Sequence, residues 1–171
     1  MGKNFRAGHS TSDALTYVSQ CLSDSLNNRE EARVVCLDIS RAFDRVWHPG
    51  LLAKLAACGF SGPLLAWLRD YLQGRSLKVV LNGHESSAKI INAGVPQGSI
   101  LGPLLFIIFI DDISQDLINE IILYADDATI MSFISSKDDR QLAADSLNQD
   151  LAKIEKWAKI WNVLFGAAKC K

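Results

Sequence analysis

Three aspartates in this chain could act together. Asp126 and Asp127 are adjacent, between two apolar runs, Ile118 to Tyr124 and Thr129 to Phe133, that read as strands of a hairpin. Asp38 closes a short β-branched run from Arg33, which reads as a buried strand ending in a carboxylate. Neighbouring carboxylates in a tight turn repel each other, and an apolar core gives them nothing in return. A divalent cation would change that. Hard ions such as Mg2+ take oxygen ligands and keep water and substrate phosphates in their other positions. Two such ions about 3.5–4 Å apart can hold the attacking and leaving oxygens of a phosphoryl transfer. The alternative is an ordinary polar turn, where Asp is common. A second doublet, Asp111-Asp112, follows an apolar helix whose C-terminal dipole disfavours negative charge. It reads as a solvated turn.

The remaining polar residues suggest less. Cys21, Cys36, Cys58 and Cys170 form no CxxC pair, so neither a zinc site nor a disulfide framework is expected. His9 and His84 have no Cys or His at ligand spacing, and His48 before Pro49 reads as a helix start. Trp47, Trp67, Trp157 and Trp161 read as core or subdomain contacts, because aromatics mainly bury area. The chain has 171 residues, 49% of them hydrophobic and 22% charged, the mix of a folded domain. With 18 Lys+Arg against 19 Asp+Glu, it lacks the basic excess that usually announces a nucleic-acid binder. A basic groove could still coexist with an acidic metal site. The first residues carry no apolar signal segment, so an unsecreted protein is expected. The run Ile100 to Ile110 is broken by Gly102-Pro103 and falls well short of the ~20 residues that span a bilayer.

The elements that must position these residues follow from periodicity and punctuation. Ser10 to Asp13 can cap a helix carrying Leu15, Val18, Leu22 and Leu26. Two short helices follow, one from Pro49 to Cys58 and one from Ser61, with Pro63 in its first turn, to Gly74. Leu77 to Leu81 and Ser87 to Ile91 flank Asn82-Gly83, a hairpin signal. The loop Gly94 to Ser99 feeds an apolar helix from Ser99 to Ile113. A long amphipathic helix spans Asp138 to Trp161, with Leu147, Leu151, Ile154 and Trp161 on one stripe, and a short strand is expected at Val163-Leu164-Phe165. Hairpins and helices alternate irregularly, which predicts an α+β fold with a largely antiparallel sheet.

Five segments, in order, resemble one family. Tyr124-Ala125-Asp126-Asp127 is similar to the YADD box of reverse transcriptases, and Leu37 to Val46 to the family's first catalytic motif in its non-LTR, LINE-like form. Ala93 to Leu104, with Pro96-Gln97-Gly98, resembles the PQG motif. Phe5 to Thr11 resembles the lead into the first fingers helix, and Trp161 to Lys171 the end of the palm.

The resemblance implies a polymerase palm, a ferredoxin-like antiparallel sheet with packed helices, plus partial fingers. Residues 1–32 and about 61–92 would be fingers-like, and 33–60 with 93–171 palm. It implies an RNA-directed DNA polymerase using two Mg2+ ions, or Mn2+, held by Asp38 and Asp126, with Asp127 as a third acid and the Ile39 carbonyl as a further ligand. Phe43 would be a gate under the incoming sugar that favours deoxynucleotides, or else a core aromatic. Gln97 and Gly98 would line the nucleotide pocket, with Gly98 admitting close backbone approach, or else form a helix-capping loop. Lys169 would protonate the leaving pyrophosphate. The implied partners are an RNA template, a DNA primer, dNTPs and flanking polyprotein domains, in the nucleus or cytoplasm and without a membrane.

The thumb and the N-terminal fingers strands that grip the triphosphate are expected to be absent. Gly166 and Asp111 stand where the family commonly has Asn. Two other functions compete: an inactive relic serving as an RNA-binding or interaction module, and a different palm-type enzyme such as a cyclase.

Overall fold

The computed structural model describes residues 11–28, 30–166 and 170. Contacts group them into two compact units. One draws on Met1–Ser40 and Asp111–Lys171, and the other is Arg41–Ile110.

The first unit is built on a three-stranded antiparallel sheet. Its strands are β1 (Glu31–Asp38), β6 (Glu120–Tyr124) and β7 (Asp127–Ile134), in the order β1-β7-β6. Helix α1 (Thr11–Asn27) packs on β1 and β6, and α5 (Arg140–Trp161) packs on β7. Central strand β7 buries Ile130, Met131 and Ser132 in succession. Successive side chains point to opposite faces, so both faces of this strand are covered.

Strand β1 is not the buried strand expected from its composition. It is an edge, with Val34 and Cys36 exposed and only Leu37 buried. Nor does α1 bury its whole apolar stripe, since Leu15 and Leu26 are exposed. Beyond α5 the expected last strand shrinks to a single bridge between Ile39 and Phe165.

Helix α5 buries Ala143, Leu147, Asp150, Ile154 and Ala158, a stripe at helical spacing with a carboxylate in it. Asp150 is fully buried and accepts hydrogen bonds from the Ile118 and Asn119 amides and the Asn119 side chain, all at 2.8 Å. Burial pushes this carboxyl up, but those three donors, with Lys153 nearby, hold it below the ordinary carboxylate range. It therefore ties the segment before β6 to the helix. Asn162, in the left-handed conformation at φ 57°, ends α5.

The second unit packs α2 (His48–Ala57) against α3 (Gly62–Leu72) and α4 (Leu101–Ile110). Pro in the first turn begins both α2 and α3. Helix α4 is apolar on nearly every side and ends earlier than expected, because Asp111–Ser114 tightens into a 3-10 turn. Lys54 is buried and donates from Nζ to the Phe109 carbonyl at 2.5 Å, 4.9 Å from the Phe109 ring centroid. It thereby satisfies one of the carbonyls that the last turn of α4 leaves open.

The expected hairpin forms as two short ladders. Asn82 and Gly83, both at positive φ, turn β3 (Val80–Leu81) into β4 (His84–Glu85), and β2 (Ser76–Leu77) pairs with β5 (Lys89–Ile90). No helix among the described residues is long and apolar enough to cross a membrane.

Candidate active site

The hairpin β6–β7 turns through Ala125-Asp126, with Tyr124 paired to Asp127. Ala125 sits at φ 50°, where a Cβ is disfavoured, so the turn holds a strained residue beside the acidic pair. Strand β1 runs alongside in a register that puts Asp38 directly across from Asp127. The Ile39 amide donates to the Asp126 carbonyl at 2.9 Å. That bond joins the residue after Asp38 to the residue before Asp127, which makes Asp38 and Asp127 a non-hydrogen-bonded pair. In such pairs the Cα atoms are about 4.5 Å apart and the side chains stand close together on one face. Like charges directly opposite destabilise a sheet, so the pairing makes chemical sense if a cation lies against it.

On its other side the end of β1 is held by the segment after α5. The Ser40 amide donates to Leu164 at 2.8 Å, and the Gly166 amide donates to the Asp38 carbonyl at 2.8 Å. Asp38 and Asp126 are half-buried and Asp127 is exposed.

No group of three or more His, Cys, Asp or Glu side chains converges as a ready metal cage among the described residues. Mg2+ does not require one. It is usually held by one or two carboxylates, with waters and substrate phosphates completing the octahedron. The opposed pair, with Asp126 next to it, meets that donor requirement in number and chemistry.

The other expected site residues lie in the second unit, apart from two. Ile39 is buried at the end of β1, and Lys169 lies outside the described residues. Phe43 stands on a 3-10 turn, Ala42–Arg45, half-buried, with its ring 4.8 Å from that of buried Phe106. It is therefore a packed aromatic that still presents part of its surface. Gln97 is exposed, and its Nε2 donates to Asp44 Oδ1 at 2.8 Å.

Gly98 has φ 80°, and an added Cβ would meet nothing within 4 Å. The positive φ favours glycine there, and the space beside its backbone is open. Within the chain, close backbone approach occurs at Gly94, where a Cβ would lie 2.8 Å from the Asp44 carbonyl oxygen. Ser99 does cap α4, accepting from the Gly102 amide at 3.0 Å.

Sequence reasoning misjudged two residues and missed Asp44. Asp112 is not a solvated turn residue, because it accepts the Trp157 indole N–H at 2.8 Å. Trp67, expected as a core or subdomain contact, is 52% exposed and stacks on Tyr71. His48 starts α2 as expected and is buried, with Nε2 2.7 Å from the Gly94 carbonyl. Asp44 orients Gln97; its place in the same short motif as Asp38 was the available signal.

Comparison with known proteins decides the family. The model of the reverse transcriptase (RNA-dependent DNA polymerase) family matches residues 3–171. The chain belongs to the reverse transcriptase family. It is 38% identical over 97% of its length to an RNA-directed DNA polymerase from mobile element jockey of Drosophila melanogaster. It is 33% identical over 96% to a probable RNA-directed DNA polymerase from transposon X-element of the same organism. The chain spans about a fifth of the length of these curated relatives, 19% and 18% respectively. In fold, this chain is similar to an apo telomerase from Candida tropicalis, with a TM-score of 0.68 at 14% identity, covering 95% of this chain and 35% of the telomerase. The likeness establishes the α+β palm-like fold of this chain.

Proposed function

We propose that this chain is the palm and part of the fingers of an RNA-directed DNA polymerase that extends a DNA primer on an RNA template by two-metal nucleotidyl transfer. Residues 33–60 and 93–171 are assigned to the palm, and 1–32 with about 61–92 to the fingers. Flanking domains of a longer polyprotein and an intracellular setting belong to the same reading. One observation above all supports it: the side-by-side Asp38–Asp127 pair, with Asp126 in the adjoining turn.

Asp38, Asp126 and Asp127 would hold the cations, with the Ile39 carbonyl as a further oxygen donor. When bound, two divalent ions supply electrostatic stabilisation of the attacking and leaving oxygens. The chain's own contribution is positioning. The sheet ladder and the 164–166 segment fix the backbone of Asp38 from both sides, so its carboxylate needs little reorganisation when substrate arrives. Phe43 would press on the sugar of the incoming nucleotide and disfavour a 2′-hydroxyl, while Phe106 behind it resists displacement. Gln97, oriented by Asp44, and the Gly98 backbone would contact the nucleotide. Lys169 would give a proton to the leaving pyrophosphate.

Primer extension on an RNA template with dNTPs and Mg2+ tests this reading. Asp126→Ala is expected to abolish incorporation that the unaltered chain supports. Equal incorporation by both proteins would remove Asp126 from the mechanism. RNA binding without incorporation by either would favour a binding module.

A further inference from the structure

We infer that the exposed stack of Trp67, Tyr71 and Arg75, at the end of α3, is a contact surface for single-stranded RNA. The surface uses none of the residues assigned above to the cations or the nucleotide, and it lies wholly in the second unit. Only the choice of RNA over DNA rests on the template assigned above.

Helix α3 buries Leu68 and Leu72. Trp67 and Tyr71 each come one residue earlier, so their stripe runs about 100° around the axis from the buried one. Four residues apart on a helix, their rings meet, with centroids 5.8 Å apart and planes inclined by 22°. Gly74, at φ 68°, then turns the chain back. Arg75 can thus donate from Nη1 to the Tyr71 carbonyl at 3.3 Å, one of the carbonyls left open by the last turn of α3. Its guanidinium lies 5.5 Å from the Tyr71 ring centroid, within cation–π range. The result is an ordered platform with a half-exposed indole and a cation held beside the neighbouring ring.

Charge indicates the occupant. Residues 41–110 carry seven Lys/Arg against three Asp/Glu, which leaves eleven against sixteen for the rest of the chain. Of the seven cations only Lys54 is buried. Arg69, Arg75, Lys78 and Lys89 all fall on α3 and the hairpin after it, with Lys78 paired to Glu85. A chain that is near neutral as a whole therefore concentrates its basic excess in the unit that carries the stack, as a polyanion-binding surface does. Unpaired nucleotides match both features, because a base can stack on the open face of an aromatic ring while its phosphates lie near cations. In a duplex the bases are already stacked on one another, so the partner is a single strand.

The test is fluorescence anisotropy of a labelled oligouridylate in EDTA, titrated with the unaltered chain, Trp67→Ala, Trp67→Phe and Arg75→Gln, with a circular dichroism spectrum of each protein. Trp67→Ala is expected to weaken binding about tenfold at an unchanged spectrum, and Trp67→Phe, which keeps a ring, to weaken it less. Arg75→Gln should weaken binding and reduce the slope of log affinity against log salt by about 0.7. Unaltered affinity in either Trp67→Ala or Arg75→Gln would overturn the inference. A loss that comes with a changed spectrum in Trp67→Ala and Trp67→Phe alike would also overturn it, by showing a structural role. So would tighter binding of an oligothymidylate than of the oligouridylate, or self-association of the chain that Trp67→Ala abolishes while RNA affinity stays the same. Primer extension separates this inference from the polymerase reading. RNA binding that depends on Trp67, without incorporation, would uphold the inference and count against that reading. Incorporation by a chain whose RNA affinity ignores Trp67 would overturn the inference alone.

Discussion

Two pairs of adjacent aspartates lie only fifteen residues apart in this chain, and the fold uses them in opposite ways. Asp111-Asp112 opens a 3-10 turn after α4, and Asp112 accepts the indole N–H of Trp157 from α5. Asp126-Asp127 lies at the tip of a hairpin, with a third carboxylate set against it across the sheet. One doublet ties a helix in place, while the other concentrates like charge at a strand end. Composition is the same at both, so the neighbours decide. A nearby donor turns a carboxylate into a structural fastener, and a facing carboxylate makes it part of the pair proposed to hold a cation.

That contrast can be broken by substitution, starting with the largest expected effect. Asp127→Asn should lower primer extension by about 10³-fold, roughly 4 kcal/mol of transition-state stabilisation. Asp111→Asn, at an exposed position, should leave it unchanged. Comparable losses in both would erase the distinction between the doublets.

Asp150 marks how strongly a carboxylate can fasten this unit. Asp150→Ala would leave the Ile118 and Asn119 amides without their acceptor, at a cost of about 2–3 kcal/mol in a urea melt. The unaltered protein adds a pH signature. The folded-state value of Asp150 is depressed, so its contribution is fully present above the unfolded carboxylate value of about 3.9 and is lost as pH falls from there through the folded value. The alanine variant should lose less stability over that acid range. Asp112→Ala should cost less than Asp150→Ala, about 1–2 kcal/mol, and leave metal binding intact. Ala125→Gly, which relieves the positive φ in the hairpin turn, should stabilise by about 0.5–1 kcal/mol, seen as a small rise in melting temperature.

Much of this organisation was legible in the sequence. Proline and glycine punctuation located α2 and α3 to within two residues at each end, and Asn82-Gly83 located the hairpin turn. The family resemblance rested on motifs that survive as local chemistry, and the match to the reverse transcriptase family bears it out. Tertiary facts were harder to read. The run Arg33 to Leu37 is apolar enough for an interior strand, but exposure depends on which neighbours a strand has, and β1 has an edge position. Leu77, Val80 and Ile90 are likewise apolar and exposed.

In the candidate site, the identity of the three aspartates was visible. Their register was not, because a shift of one residue would put Asp126 rather than Asp127 opposite Asp38. The contact between Gly166 and Asp38 joins residues far apart in the chain, and no local pattern announces it.

The central claim is that Asp38 and Asp127 share a cation across the β1–β7 ladder. Crystals of the protein soaked with Mn2+ and a dNTP would test it by anomalous scattering. The expected result is a peak about 2.0–2.3 Å from oxygens of both Asp38 and Asp127. A peak at Asp111-Asp112, or an ion held by Asp127 with Asp38 turned away from it, would contradict the account.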